Sequence, residues 1–183
     1  MQAELITTPA ALADLCRALA HEDWFTLDTE FLRERTYRAR LCLIQVAGRD
    51  GVAVIDPLAV TDLAPFLQLL HAAPRKVLHA ARQDIEVFYD IEARVPAPIA
   101  DTQIAAALLG PEDQPGYATL VARITGTVID KAPQRTDWSR RPLTPAQLVY
   151  AADDARWLRP VYETLLGELE ARGRLGWFEE ECA

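Results

Sequence analysis

This 183-residue sequence has no apolar run approaching the about eighteen residues that a membrane-spanning helix needs, and its opening MQAELITTPA lacks the basic and then apolar order of a secretory leader. These absences set the expectation of a soluble, cytoplasmic protein with no membrane partner. Cysteine is scarce: Cys16, Cys42 and Cys182 are odd in number, far apart and free of C-x-x-C spacing. That supports neither a disulfide framework nor a zinc site, and leaves buried or incidental thiols. No internal repeat or low-complexity linker is present. Positive charge is in deficit too, with 19 Lys and Arg against 27 Asp and Glu and a net charge of −8. A balance of that sign weighs against a nucleic-acid partner, whose phosphates are held by Lys and Arg.

The charge that is there is unevenly spread. Residues 33–40 (RERTYRAR) set Arg33, Arg35, Arg38 and Arg40 against Glu34, and residues 131–141 (KAPQRTDWSRR) set Lys131, Arg135, Arg140 and Arg141 against Asp137, a local +3 in each. One such run is a solvated surface; two of them, one starting three residues after Glu30, shift the reading toward phosphate contacts.

Half of the residues are hydrophobic, enough for one compact domain with a sizeable core. Thr8 and Pro9 open a helix to about residue 20, and strands follow at 24–28, 41–47 and 52–56 as an antiparallel meander. Further on, a helix from about Thr61, a strand at 76–79, a helix over QDIEVFYD, a short apolar entry PIAD and helices over TQIAAALLG and YATLVARITG alternate. The last helix is the best signalled: Thr144, Pro145 and Gln147 form a capping box, and Pro160 should bend or interrupt it. This order predicts an α/β domain on a central mixed sheet flanked by helices.

Four acids fall at the ends of these elements. Asp28 and Glu30 alternate with Leu27 and Thr29, so both point to one side of a strand end, where two like charges repel unless a cation lies between them. Asp84 stands near a helix start, and Asp154 shares a helical face with Tyr150 four residues earlier. Each has an ordinary alternative: a solvated acidic edge, a helix-dipole partner, a surface pair with Arg156, a core tyrosine. Asp153 faces about a hundred degrees away from Asp154, Asp101 reads as a helix cap, and Asp56 as a strand end. Glu34 and Glu86 read as solvated.

In order and spacing, LDTEFLRE, HAARQDIEVF and YAADDARWL resemble the three motifs of the DEDD 3'-to-5' exonucleases, and the Tyr150 spacing matches their DEDDy branch. Within it, DTEFLRERTYRARLCLIQVA, DTQIAAALLG and DKAPQRTDWSRRPL are similar to the ribonuclease D family, from about residue 24 onward. The resemblance implies a ribonuclease H-like fold and RNA 3' ends, tRNA precursors among them, as substrate. It also implies Asp28, Glu30 and Asp154 around one metal ion, Asp28 and Asp84 around a second, and Tyr150 positioning the attacking water.

Independently of the family, two divalent cations about 3.5 to 4 Å apart can serve both ends of an in-line phosphodiester displacement, and four carboxylates suit Mg²⁺ or Mn²⁺ better than zinc. Tyrosine, with a pKa of about 10, is a poor base at neutral pH, which favours orientation as its role. Phe31, Leu32, His79, Gln83, Trp138, Arg140 and Arg141 are candidate substrate contacts, with packing as the competing use of Phe31 and Trp138 and a structural role favoured for His79. A DNA exonuclease and a catalytically inactive nucleic-acid-binding module are the rival functions. One exonuclease domain over 1–183 is expected, without the helical HRDC domains usual in the family. No protein partner is implied, and a monomer is expected.

Overall fold

The computed structural model describes residues 3–33, 38–72, 74–110 and 114–183. Glu34 and Arg35 of the first basic segment lie outside the described residues.

Six strands form one mixed sheet: β1 (Glu4–Ile6), β2 (Trp24–Leu32), β3 (Arg40–Ala47), β4 (Val52–Ile55), β5 (Arg75–Leu78) and β6 (Ile99–Asp101), in the spatial order β1-β4-β3-β2-β5-β6. The expected meander is present, since β2, β3 and β4 pair antiparallel in succession. The other three pairings, β1 with β4, β2 with β5 and β5 with β6, are parallel. Strand β1, three residues at the edge, carries no periodic signal in the sequence.

Alternation along β2 sends its side chains into two different cores. Phe25 and Leu27 join Ile44, Ile55 and Leu78 on one face, under α1 (Pro9–Leu19), α2 (Ala64–Leu70) and α3 (Arg82–Glu92). On the other face Trp24 packs into a core with Leu43, Val54 and Val77, built by α4 (Thr102–Leu109), α5 (Tyr117–Thr125), α6 (Pro145–Arg156), α7 (Leu158–Ala171) and α8 (Leu175–Glu181). The expected mixed sheet between helical layers is what forms.

Local signals hold at the helix ends. Thr8 accepts from the Ala11 amide at 3.3 Å, and Thr144 and Gln147 complete their reciprocal capping box. The helix that Pro160 was expected to interrupt divides at Trp157, with α6 ending at Arg156 and α7 starting at Leu158. Proline offers no N–H to the carbonyl four residues back, so the turn cannot close normally there.

Two features open the sheet beside the acids. Strand β5 ends at Leu78 and its last registered pair with β2 is Thr26 with Val77, so β2 runs on past its parallel neighbour. On the other side the β2–β3 register shifts between Glu30 and Phe31, whose partners are Leu43 and Leu41, leaving Cys42 as the bulged residue. Among the described residues, no helix is long and apolar enough to cross a membrane.

Candidate active site

The overhanging end of β2 forms the floor of a cavity of about 510 Å³. Asp28 and Glu30 face the α6 side, as alternation requires, and Asp154 descends from α6 to meet them. Carboxylate oxygens of these three residues lie within 4.8 Å of one another. Asp84 lines the same cavity from the opposite helical layer, three residues into α3. Thr29 points toward that layer, and its hydroxyl donates to Asp84 Oδ1 at 2.5 Å. The acids therefore converge from both sides of the sheet, which is possible only where β2 has lost its parallel neighbour.

Backbone contacts hold each acid in place. The helix break leaves carbonyls at the end of α6 in need of donors. Tyr117 shares its hydroxyl proton between the carbonyls of Asp153 and Asp154 at 3.0 and 2.7 Å, and Thr26 donates to Ala155 at 2.8 Å. For Asp84, the β5–α3 turn passes through Ala80 at φ 54°, left-handed and costly for a residue with a Cβ. Asp101 stabilises it by accepting the Ala80 and Ala81 amides, both at 2.9 Å, while also capping α4 through the Gln103 amide at 2.8 Å. Asp101 is the helix cap its sequence context predicts and a brace for the Asp84 turn as well.

Crowding and burial set the protonation of the cluster. Burial, followed by the fields of Asp84, Asp154 and Glu30, pushes Asp28 well above the usual carboxylate range. Burial and then Asp154 and Asp84 raise Glu30 to about 9. Asp154 rises to about 7 through burial, against the hydroxyl of Tyr150, which favours the charged form. Asp84 rises to about 6 through burial, opposed by the Thr29 hydroxyl. Burial and the neighbouring carboxylates also push the Tyr150 phenol far above its ordinary value. Such a group is a hydrogen-bond donor and not a base. The donor set is all oxygen, and a divalent cation is the counter-charge that would let these acids ionise together.

A sequence profile of the 3'-5' exonuclease family matches residues 3–170. The chain belongs to that family. Ribonuclease D of Granulibacter bethesdensis is 54% identical over 98% of this chain, which corresponds to 46% of that protein. The crystal structure of Escherichia coli RNase D, an exoribonuclease involved in structured RNA processing, superposes with a TM-score of 0.95 at 43% identity, covering all of this chain and 49% of that one. Brucella melitensis NrnC with bound Mg²⁺ matches at a TM-score of 0.81 and 27% identity over the whole chain and 89% of its own. The chain thus spans about half the length of the ribonuclease D relatives, and its fold is the ribonuclease H-like one that the motifs implied.

Around the acids of this exonuclease-family site, the structure gathers Tyr150, Phe31, His79 and Gln83 in the same cavity and leaves four other expected contacts out of it. Leu32 packs against the core. Trp138 is buried, its ring 5.9 Å from that of Tyr150, so it supports the tyrosine from beneath and presents no face to a strand. Arg140 is exposed and paired with Asp137 at 3.1 Å. Arg141 turns inward: it forms a two-pronged pair with Asp56 at 2.6 and 2.7 Å and donates to the carbonyls of Cys42, Trp138 and Arg140. Cys42 is the bulged residue of β3, whose displaced carbonyl Arg141 takes up. Trp138 and Arg141 are therefore anchors of the segment before α6, because burial and a carboxylate partner outweigh exposure to substrate.

Other expectations fall as follows. His79 is anchored at one nitrogen, its Nδ1 3.0 Å from Thr102 Oγ1, whose proton goes to the Leu78 carbonyl, while its buried Nε2 has no hydrogen-bond partner among the described residues; burial lowers its pKa. Asp153 is paired with Arg156, away from the cluster. Glu86 bonds Arg33 and Arg82 at 3.2 and 3.3 Å on the surface. Residues not singled out in the sequence also belong here: Thr29, the middle of D-x-E; Tyr117, which steadies α6; and Lys131 and Gln134, which line the cavity from the anchored segment. Lys131 was visible only as part of a basic run.

Proposed function

We propose that this chain is a metal-dependent 3'-to-5' exoribonuclease that releases nucleoside 5'-monophosphates from RNA 3' ends, tRNA precursors among them. The observation that carries the reading is the set of Asp28, Glu30 and Asp154 oxygens within 4.8 Å of one another at an open strand end, with Asp84 and Tyr150 in the same cavity. Asp28, Glu30 and Asp154 would hold one Mg²⁺ or Mn²⁺, and Asp28 with Asp84 a second. Held there, two such ions would supply the polarisation of the attacking water and the positive charge beside the leaving 3' oxygen.

The protein's part is positioning. Thr29 fixes one oxygen of Asp84. The Tyr150 phenol, kept protonated, orients the water for in-line attack, backed by Trp138. Phe31 lies at the cavity wall where the terminal base can pack against it. The chain acts as one exonuclease domain, in the cytoplasm and as a monomer.

The test is incubation with 3'-labelled single-stranded RNA in Mn²⁺, with an EDTA control, an Asp28→Ala control and DNA of identical sequence. Labelled mononucleotide from RNA alone, abolished by EDTA and by the substitution, is the expected outcome. Equal release from DNA would make the chain a general exonuclease. Retained RNA binding without hydrolysis at any metal concentration would make it a binding module.

A further inference from the structure

A polyanion has to enter a cavity lined by four carboxylates, in a chain of net charge −8. Two divalent ions would cancel the four acids but supply no positive charge for the phosphates upstream of the cleaved bond. That charge has to come from the protein at the cavity mouth.

Among the described residues, no arginine of the two basic segments lines the cavity. Arg33 is paired with Glu86, Arg140 with Asp137 and Arg141 with Asp56. Arg135 is exposed but does not line the cavity. Lys131 differs on each count. It lines the cavity, is exposed, and its ammonium has no hydrogen bond or ion pair among the described residues. The sequence has one other lysine, Lys76, which is fully buried and donates to the carbonyls of Ala72 and Ala97 at 3.2 and 2.7 Å.

The backbone under Lys131 is braced at several points. Asp130 accepts the Ala132 amide at 2.9 Å, opening a 3₁₀ turn over Ala132–Arg135 in which Pro133 is buried. The Thr136 hydroxyl accepts from Gln147 of α6 at 3.0 Å, Trp138 is seated under Tyr150, and Arg141 is clamped to Asp56. The strap from 130 to 141 is therefore tied to the helix that carries Tyr150 and Asp154, and it holds a free cation at the rim of the acidic cavity.

We propose that Lys131 is a substrate-binding residue that takes a backbone phosphate of the strand whose 3' end occupies the acid cluster. The inference rests on the exonuclease reading above. A lysine suits the place because its compact charge has three freely rotating donors and accepts phosphates in varied orientation, as a sequence-tolerant enzyme requires.

The test compares wild type, Lys131→Gln and Lys131→Arg by steady-state hydrolysis of single-stranded RNA and by anisotropy with 5'-fluorescein-labelled RNA, the latter in an Asp28→Asn background so that the strand is not consumed. Lys131→Gln is expected to raise KM and the dissociation constant about five-fold at low salt with kcat nearly unchanged, and to make the slope of log affinity against log salt shallower by about 0.7, one phosphate contact on a single strand. Lys131→Arg should recover most of the loss. Unchanged KM and salt slope in Lys131→Gln, beside an active wild type, would overturn the assignment. So would a fall in kcat alone. If the wild type neither binds nor hydrolyses RNA or DNA, it is the exonuclease reading that fails. The side chain is exposed, so unaltered thermal melting is expected of both variants and shows that a change in KM is not a folding defect.

Discussion

Tyr150 divides its functions between ring and hydroxyl. The ring packs on Trp138, and the hydroxyl lies in the field of Asp154, Glu30 and Asp28, which together with burial keeps it protonated. Tyr150→Phe removes only the second part. Turnover should fall by about ten- to a hundred-fold while stability stays within about 1 kcal/mol of wild type, measured by single-turnover hydrolysis and by urea denaturation. A rate equal to wild type would remove the hydroxyl from the mechanism. The pairing of Tyr150 with Asp154 was readable from their spacing of four on a helix. The destination of the Thr29 hydroxyl was not, because alternation says only that it points away from Asp28 and Glu30. Asp84 lies 55 residues further along the chain, and only packing of α3 against the sheet makes it the acceptor.

At the level of elements, the strap before α6 depends on one buried pair. Asp56 follows the end of β4, and its carboxylate is 5% exposed beneath Arg141. Asp56→Ala leaves that guanidinium without its partner and frees the carbonyl of bulged Cys42 from a stable donor. The expected loss is about 3 kcal/mol, checked by chemical denaturation. At a temperature where the variant is folded, KM for RNA should rise more than kcat falls, since the strap carries Lys131 and the clustered acids sit on β2, α3 and α6. Sequence signals located α6 and its capping box because caps and apolar periodicity are local. They left Trp138 open between substrate contact and packing and put Arg141 among the substrate contacts, since an aromatic flanked by arginines reads alike whether it faces solvent or core. The short edge strand β1 was silent for a related reason: three residues carry no period.

For the molecule as a whole, the acid cluster links metal binding to stability and pH. Asp84, Asp154 and Glu30 have pKa values of about 6, 7 and 9 in the fold, against about 4 in an unfolded chain. With folded values raised, the folded state binds these protons more tightly. Their stabilising contribution is complete below the unfolded values and is lost as pH climbs through about 6 to 9. The metal-free protein should therefore melt at progressively lower temperature over that range. Divalent cations need the ionised carboxylates, so the rise in Tm on adding Mn²⁺ should be small near pH 5.5 and largest near about pH 8.5, and should vanish with Asp154→Asn. Scanning calorimetry across pH checks this, and a metal shift independent of pH would contradict it.

Periodicity, caps and motif spacing determined the order of the strands and α-helices from α1 to α6, the shared face of Asp28 and Glu30, and the shared face of Tyr150 and Asp154. These are properties of a strand or helix taken by itself, set by repeats of two and 3.6 residues. Tertiary structure alone decided that β2 outruns β5 to open a cavity, that Asp84 arrives from the other helical layer, that Arg141 reaches back 85 residues to Asp56, and that Lys131 lines the same cavity as the acids. Each of these depends on which distant segment fills the space a side chain points into. The raised pKa values have the same origin, since burial and mutual repulsion arise only once the chain has brought its carboxylates together.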